Sequence, residues 1–205
     1  MKKDRKIPLL NEFYCRGRIV GKGGFKERNP YLTIFINGKR EPNYMKVYFE
    51  SIDIHDFKMN QTVYITGFVK SPVIPYLYEG RKEQYFLGEK IVLENTLLSE
   101  AFEIENIGFS FKNPFSRVFL SGSILSIKEF NNWITIQVRD YREQVITLQY
   151  SKNMRVNDVS LEINDFVFVS AILVSARKNY DEITVDYEDL IVDDLAVNQN
   201  YQLSW

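Results

Sequence analysis

The sequence predicts an all-β chain with little helix (minor α), arranged as two tandem five-stranded barrels joined by a short, partly helical connection. Three observations carry this. Aromatic residues make up 15% of the 205 residues, and Ile, Val and Thr are common while Ala is scarce, a balance that favours strands. Runs of alternating apolar and polar residues recur between loops rich in Gly, Pro and Asn. The pattern of the first half also returns in the second, in the same order. With 45% hydrophobic residues the chain can fill packed cores, and its length suits two domains of about 100 residues each.

Met1 to Lys6 is basic, but only Ile7 to Leu10 is apolar behind it, too short for a secretion signal, and no run approaches a membrane span. The single cysteine, Cys15, allows no intramolecular disulfide, so a cytoplasmic, reducing compartment is expected. The first strand is expected over Glu12 to Gly21, followed by a loop, Lys22 to Pro30, that holds Lys22, Phe25, Lys26 and Arg28. Its glycines match neither a phosphate-binding loop nor a dinucleotide fingerprint.

Tyr31 to Glu50, YLTIFINGKREPNYMKVYFE, reads as a hairpin of two strands, Tyr31 to Asn37 and Asn43 to Phe49, with Lys39 and Arg40 in its turn. Alternation places Leu32, Ile34, Ile36, Met45, Val47 and Phe49 on a core face. The other face carries Tyr31, Thr33, Phe35, Tyr44, Lys46 and Tyr48, far more aromatic than a solvated strand surface needs. Flat rings beside cations suit unpaired bases, which stack on the rings while the cations follow the phosphates.

Ser51 to Asn60 is polar, with room for one or two helical turns; Thr62 to Lys70 is the next strand, with a bulge or bend expected at Gly67. Ser71 to Glu83 is a long loop stiffened by Pro72 and Pro75 and bearing Tyr76, Tyr78, Arg81 and Lys82, and Gln84 to Glu94 is the fifth strand. Five strands in this order, with a basic loop after the first and an aromatic loop after the fourth, match an OB-fold barrel whose ligands lie on strands two and three.

The repeat supplies the second barrel. Gly17 to Val20 is echoed by Gly122 to Leu125, Tyr31 to Ile34 by Trp133 to Ile136, Asn60 to Val69 by Asn164 to Leu173, and Glu89 to Glu94 by Glu188 to Asp193. The expected division is residues 1–94, a connection over residues 95–116 with a short helix on Leu97, Leu98, Ala101, Phe102 and Ile104, and residues 117–205. In the second copy the loops shrink to Ser126 to Asn132 and to Ala176 to Glu182, leaving Trp133 and Arg139 on the outward face with Lys128 and Phe130 in the first loop.

Charge separates the halves. Residues 1–98 hold 17 Lys and Arg against 11 Asp and Glu, a net of +6, while residues 99–205 hold 9 against 16, a net of −7. Contact with a polyanion therefore belongs mainly to the first half. The acidic second barrel, with Trp133 able to stack a base and Arg139 outward as further nucleic-acid-binding candidates, reads equally as a weaker extension of the binding path or as a module for contact with replication or recombination proteins. The tail ending at Trp205 reads as a segment folded back on the barrel, with a docking tail as the alternative. No catalytic constellation, cofactor or metal is expected: the single His55 sits in a polar segment beside Asp53 and Asp56, and the late acidic residues have no His or Cys among them.

With the barrel, the aromatic face and the repeat together, the chain resembles the OB-fold single-stranded DNA-binding proteins, in tandem form, over about residues 12–194. The resemblance implies sequence-tolerant binding of single strands in replication, recombination or DNA transfer, with RNA as a second candidate ligand. It implies base stacking on Tyr31, Phe35, Tyr44 and Tyr48, with Lys46 on the same face and Lys22, Lys26, Arg28, Arg81 and Lys82 on the loops. Bacterial members end in a Gly/Pro-rich tail with an acidic tip; this chain shows neither, so recruitment through such a tip is not expected and a phage, plasmid or other mobile-element origin is. The competing expectation is an adaptor whose aromatic face is covered by protein.

Overall fold

The computed structural model describes residues 9–23, 30–37, 42–49, 52–70, 98–108, 114–153, 160–180 and 183–198. Ten strands run in order: β1 (Asn11–Gly23), β2 (Tyr31–Asn37), β3 (Pro42–Tyr48), β4 (Thr62–Lys70), β5 (Leu98–Asn106), β6 (Phe115–Phe130), β7 (Trp133–Asp140), β8 (Val145–Ser151), β9 (Phe166–Tyr180) and β10 (Ile183–Asn198). They form one mixed sheet, β2-β3-β5-β4-β1-β6-β7-β8-β10-β9. Additional β1–β2 and β6–β9 pairings return each run of five strands to its start. Within each run one pairing is parallel, β3 with β5 and β8 with β10. The runs meet where β1 pairs antiparallel with β6, Phe13 opposite Val118.

The expected core face of the hairpin is buried in full, with Leu32, Ile34, Val47 and Phe49 at 0% exposure. In the second half Ile136, Val138, Ile146, Leu148 and Tyr150 are buried likewise. Strands form here because alternate side chains find this interior, each large aliphatic group contributing about 1.5–3 kcal/mol.

No helix is present among the described residues, and none is long and apolar enough to cross a membrane. Two helical expectations are thereby corrected. Between Ile52 and Gln61 the chain makes successive turns, closed by bonds from Phe57 N to Ile54 O (3.3 Å) and from Gln61 N to Lys58 O (3.2 Å). The segment expected to connect the halves through a helix supplies β5, antiparallel to β4 and parallel to β3. The reason is a bulge: Gly67 faces Ala101 but Thr66 faces Glu103, so Phe102 is extra. Buried Ala101 and half-buried Ile104 then stand three residues apart, a helical spacing produced by an irregular strand. The fifth strand expected over Gln84 to Glu94 lies outside the described residues.

The repeat is visible in bonding detail. Asn60 N donates to Ile19 O (2.9 Å) and Ile19 N to Gln61 O (2.8 Å); Asn164 N donates to Ile124 O (2.8 Å) and Ile124 N to Asp165 O (2.9 Å). Asn60 and Asn164 both take positive φ, 67° and 77°, a conformation Asn tolerates better than most residues. The β1–β2 register shifts between Ile19 and Gly21, and the β6–β7 register between Ile124 and Ser126, at matching places.

Polar side chains tie the halves together. Buried Asn11 exchanges bonds of 2.9 Å with the backbone of Val69 and donates at 2.5 Å to Asp140 Oδ2, itself buried at the end of β7. Asn43 Nδ2 on β3 donates across to Leu173 O on β9 at 2.8 Å, a carbonyl that also accepts from Ser116 Oγ within the second half at 2.9 Å.

Asp189 on β10 accepts from Gln149 Nε2 (2.7 Å) and from Leu190 N (3.0 Å). Burial nevertheless pushes its carboxyl above the usual carboxylate range, since the two hydrogen bonds offset only part of the desolvation. A folded-state pKa above the unfolded one stabilises at low pH, and that contribution is lost as pH rises through the raised value. Urea midpoints against pH should therefore show the native protein losing stability relative to Asp189→Asn as pH climbs out of the acid range; parallel curves would mean that Asp189 is not desolvated.

Candidate nucleic-acid interface

β2 and β3 pair so that their outward residues form three rows: Tyr31 opposite Tyr48, Thr33 opposite Lys46, and Phe35 opposite Tyr44. The outer rows are ring pairs. Tyr31 and Tyr48 have centroids 5.5 Å apart and tilted by 52°; Phe35 and Tyr44 are 5.2 Å apart and tilted by 45°. The middle row carries the cation, and Lys46 Nζ lies 5.5 Å from the Tyr31 ring centre, within cation–π range. Tyr44 and Lys46 are exposed, while Tyr31, Phe35 and Tyr48 are half-buried. The face is built by alternation, since each outward residue neighbours one locked in the core.

Arg18 extends the platform, and sequence reasoning missed it. It pairs with Phe35 across the β1–β2 ladder, and its guanidinium lies 5.9 Å from the Phe35 ring centre. The signal was available in the alternation of β1, which turns Tyr14, Arg16 and Arg18 outward; the missing step was to lay β1 beside β2.

Lys22 is set apart from the aromatic rows. It pairs with buried Leu32, and its ammonium donates to the carbonyls of Ile54 and His55, each at 3.1 Å. Phe25, Lys26, Arg28, Lys39, Arg40, Tyr76, Tyr78, Arg81 and Lys82 lie outside the described residues. In the second half, Arg139 is half-buried on β7 and reaches Glu143 at 3.7 Å. Trp133 is far from Arg139, at the other end of β7. The loop expected over Ser126 to Asn132 is mostly strand: β6 runs on to Phe130 and only Asn131 and Asn132 make the turn. β9 likewise continues to Tyr180, through much of the loop expected over Ala176 to Glu182.

No group of His, Cys, Asp or Glu suited to a metal occurs among the described residues. His55 is exposed, and its backbone N–H donates to Asp53 Oδ1 at 2.9 Å.

No family model and no curated relative matches the chain. Solved structures do. The single-stranded DNA binding protein from Thermus aquaticus superposes with a TM-score of 0.65 at 12% identity, covering 97% of this chain and 98% of that one. This chain has that fold. A deletion mutant of the Thermus aquaticus protein gives a TM-score of 0.61 at 11% identity, covering 96% of this chain and 98% of that one. The likeness to the Thermus aquaticus protein takes in both halves in one superposition and, at this identity, is a likeness of fold.

Proposed function

We propose that this protein binds single-stranded DNA with little sequence preference, by stacking bases on the outward face of β2 and β3. The observation that carries the reading is the pair of ring rows, Tyr31/Tyr48 and Phe35/Tyr44, set about Lys46. The likeness in fold to a single-stranded DNA binding protein supports it. In this reading the two closed runs of strands are tandem OB-fold barrels, the first extending through β5 instead of ending at residue 94, because β5 pairs with β3 and β4. Arg18 joins Lys46 in following the phosphates, and Tyr76, Tyr78, Arg81, Lys82 and the cations of the first loop add to the path. The protein acts as a binder, without catalysis or cofactor, protecting single strands during replication, recombination or DNA transfer.

The test is the fluorescence anisotropy of labelled dT of about 30 bases, compared with duplex DNA and U-rich RNA at low and high salt. Tight, partly salt-resistant binding of dT with little binding of duplex is expected, because stacking is the part of the affinity that salt does not screen. Preference for the RNA would reassign the ligand. Failure to bind any of the three would make the face a protein interface.

A further inference from the structure

The β2–β3 hairpin is braced differently at its two ends. At the Tyr31/Tyr48 row the backbone supplies the brace: Phe49 N donates to Pro30 O (2.9 Å), and Val47 and Tyr48 pair with Ser99 and Glu100 of β5. Among the described residues that β3–β5 ladder stops at Val47, short of the Phe35/Tyr44 row. Nearer the tip a side chain takes over. Asn43 pairs with buried Ile36 and shares the inward face of β3 with Met45 and Val47, and its Nδ2 donates to Leu173 O of β9 at 2.8 Å. Its neighbour Tyr44 points the other way and is exposed.

Leu173 belongs to the second half, and its carbonyl is a firm anchor. It also accepts from buried Ser116 Oγ (2.9 Å), and Leu173 pairs with buried Leu190 of β10. A carbonyl oxygen has two lone pairs, and these two donors take one each. In the repeat Leu173 is the counterpart of Val69, whose carbonyl accepts from Asn11 while Asn11 also reaches Asp140 at the end of β7. Each hairpin is thus tied near its tip to the corresponding strand of the other half, through Asn11 for β7–β8 and directly for β2–β3.

We infer that Asn43 is a positioning residue for base stacking: its bond to Leu173 O holds the tip end of β3 to the second half and so sets the pose of the Tyr44 ring beside Phe35. The inference rests on the single-strand reading above. It makes the second half a support of the first half's binding face without contact with the ligand. A ring row that is ordered beforehand loses less freedom when a base stacks on it, so freeing β3 at Asn43 costs affinity at that row.

Asn43→Ala should weaken binding of labelled dT of about 30 bases roughly fivefold. Ser116→Ala removes the other bond to the same carbonyl, one that lies within the second half, and should lower the melting temperature with affinity unchanged. Dependence on the row separates positioning from general support. In a Tyr44→Ala background Asn43→Ala should cost almost nothing more, because the ring it places is gone; in a Tyr48→Ala background it should cost its full effect. Asn43→Asp, the same shape with an acceptor in place of the donor, carries the same cycle where the alanine variant does not fold. Equal losses in the two backgrounds, or no loss in the native one, overturn the positioning role and leave the single-strand reading standing. A native chain that binds no dT overturns both.

Discussion

Replacing Tyr44 and Tyr48 together by alanine is expected to weaken binding of a dT strand on the order of 100-fold or more, since a stacked base is worth about 1–3 kcal/mol. The two rings belong to different rows, so the double variant removes half of each ring pair. It should not unfold the protein. The residues between and beside them that hold β3 in place are Met45, Val47 and Phe49, at 1%, 0% and 0% exposure, and none of these is touched. Thermal melting should therefore stay close to that of the native chain while affinity collapses. Lys46→Gln makes a useful contrast: it should cost less affinity but flatten the plot of log K against log salt by about 0.7, the share of one phosphate contact on a single strand. Native affinity in the tyrosine variant would show that bases stack elsewhere. A lost melting transition would show instead that the rings hold the hairpin together.

How much of this was legible in the sequence depended on whether a strand announces itself locally. β2 and β4 were readable to the residue, over Tyr31–Asn37 and Thr62–Lys70, because alternation there is regular and bounded by turn residues. β5 was not, because the extra residue at Phe102 breaks the alternation and leaves apolar groups at helical spacing. The end of β6 was also lost: Lys128, Glu129 and Phe130 are all exposed, so that part of the strand buries nothing and carries no apolar rhythm to read. The outward rows of β2 and β3 followed from alternation alone. Arg18 did not, because its place beside Phe35 is a fact of strand pairing. The β1–β6 seam is of the same kind; Phe13 opposite Val118 leaves no mark on either segment by itself. Local pattern thus reveals faces, and partners emerge only from the assembled sheet.

The glycines of the repeat lead to the largest expected effect on stability. Gly17 pairs with Val63 of β4 at the point where the neighbouring Arg18 picks up Phe35 of β2, and Gly122 pairs with both Val167 of β9 and Asp140 of β7. Each is the place where one strand is gripped from both sides as its run of five closes. Each is also crowded. A Cβ on Gly122 would lie 2.1 Å from the carbonyl oxygen of Arg139 and 2.7 Å from Val138 Cγ1; on Gly17 it would lie 2.4 Å from Ile34 Cγ2 and 2.6 Å from Phe35 O. A side-chain methyl can rotate aside, but a backbone oxygen in a ladder moves only if the ladder moves. Gly122→Ala is therefore expected to cost about 3 kcal/mol or more, at the upper end of overpacking penalties, with Gly17→Ala close behind. Gly108→Ala is the control, since a Cβ there meets nothing within 4 Å and only its φ of 86° opposes the change. Urea unfolding should rank the three in that order. If Gly122→Ala unfolds at the native midpoint, β6 and β7 cannot lie this close together, and the closure of the second run of strands fails with them.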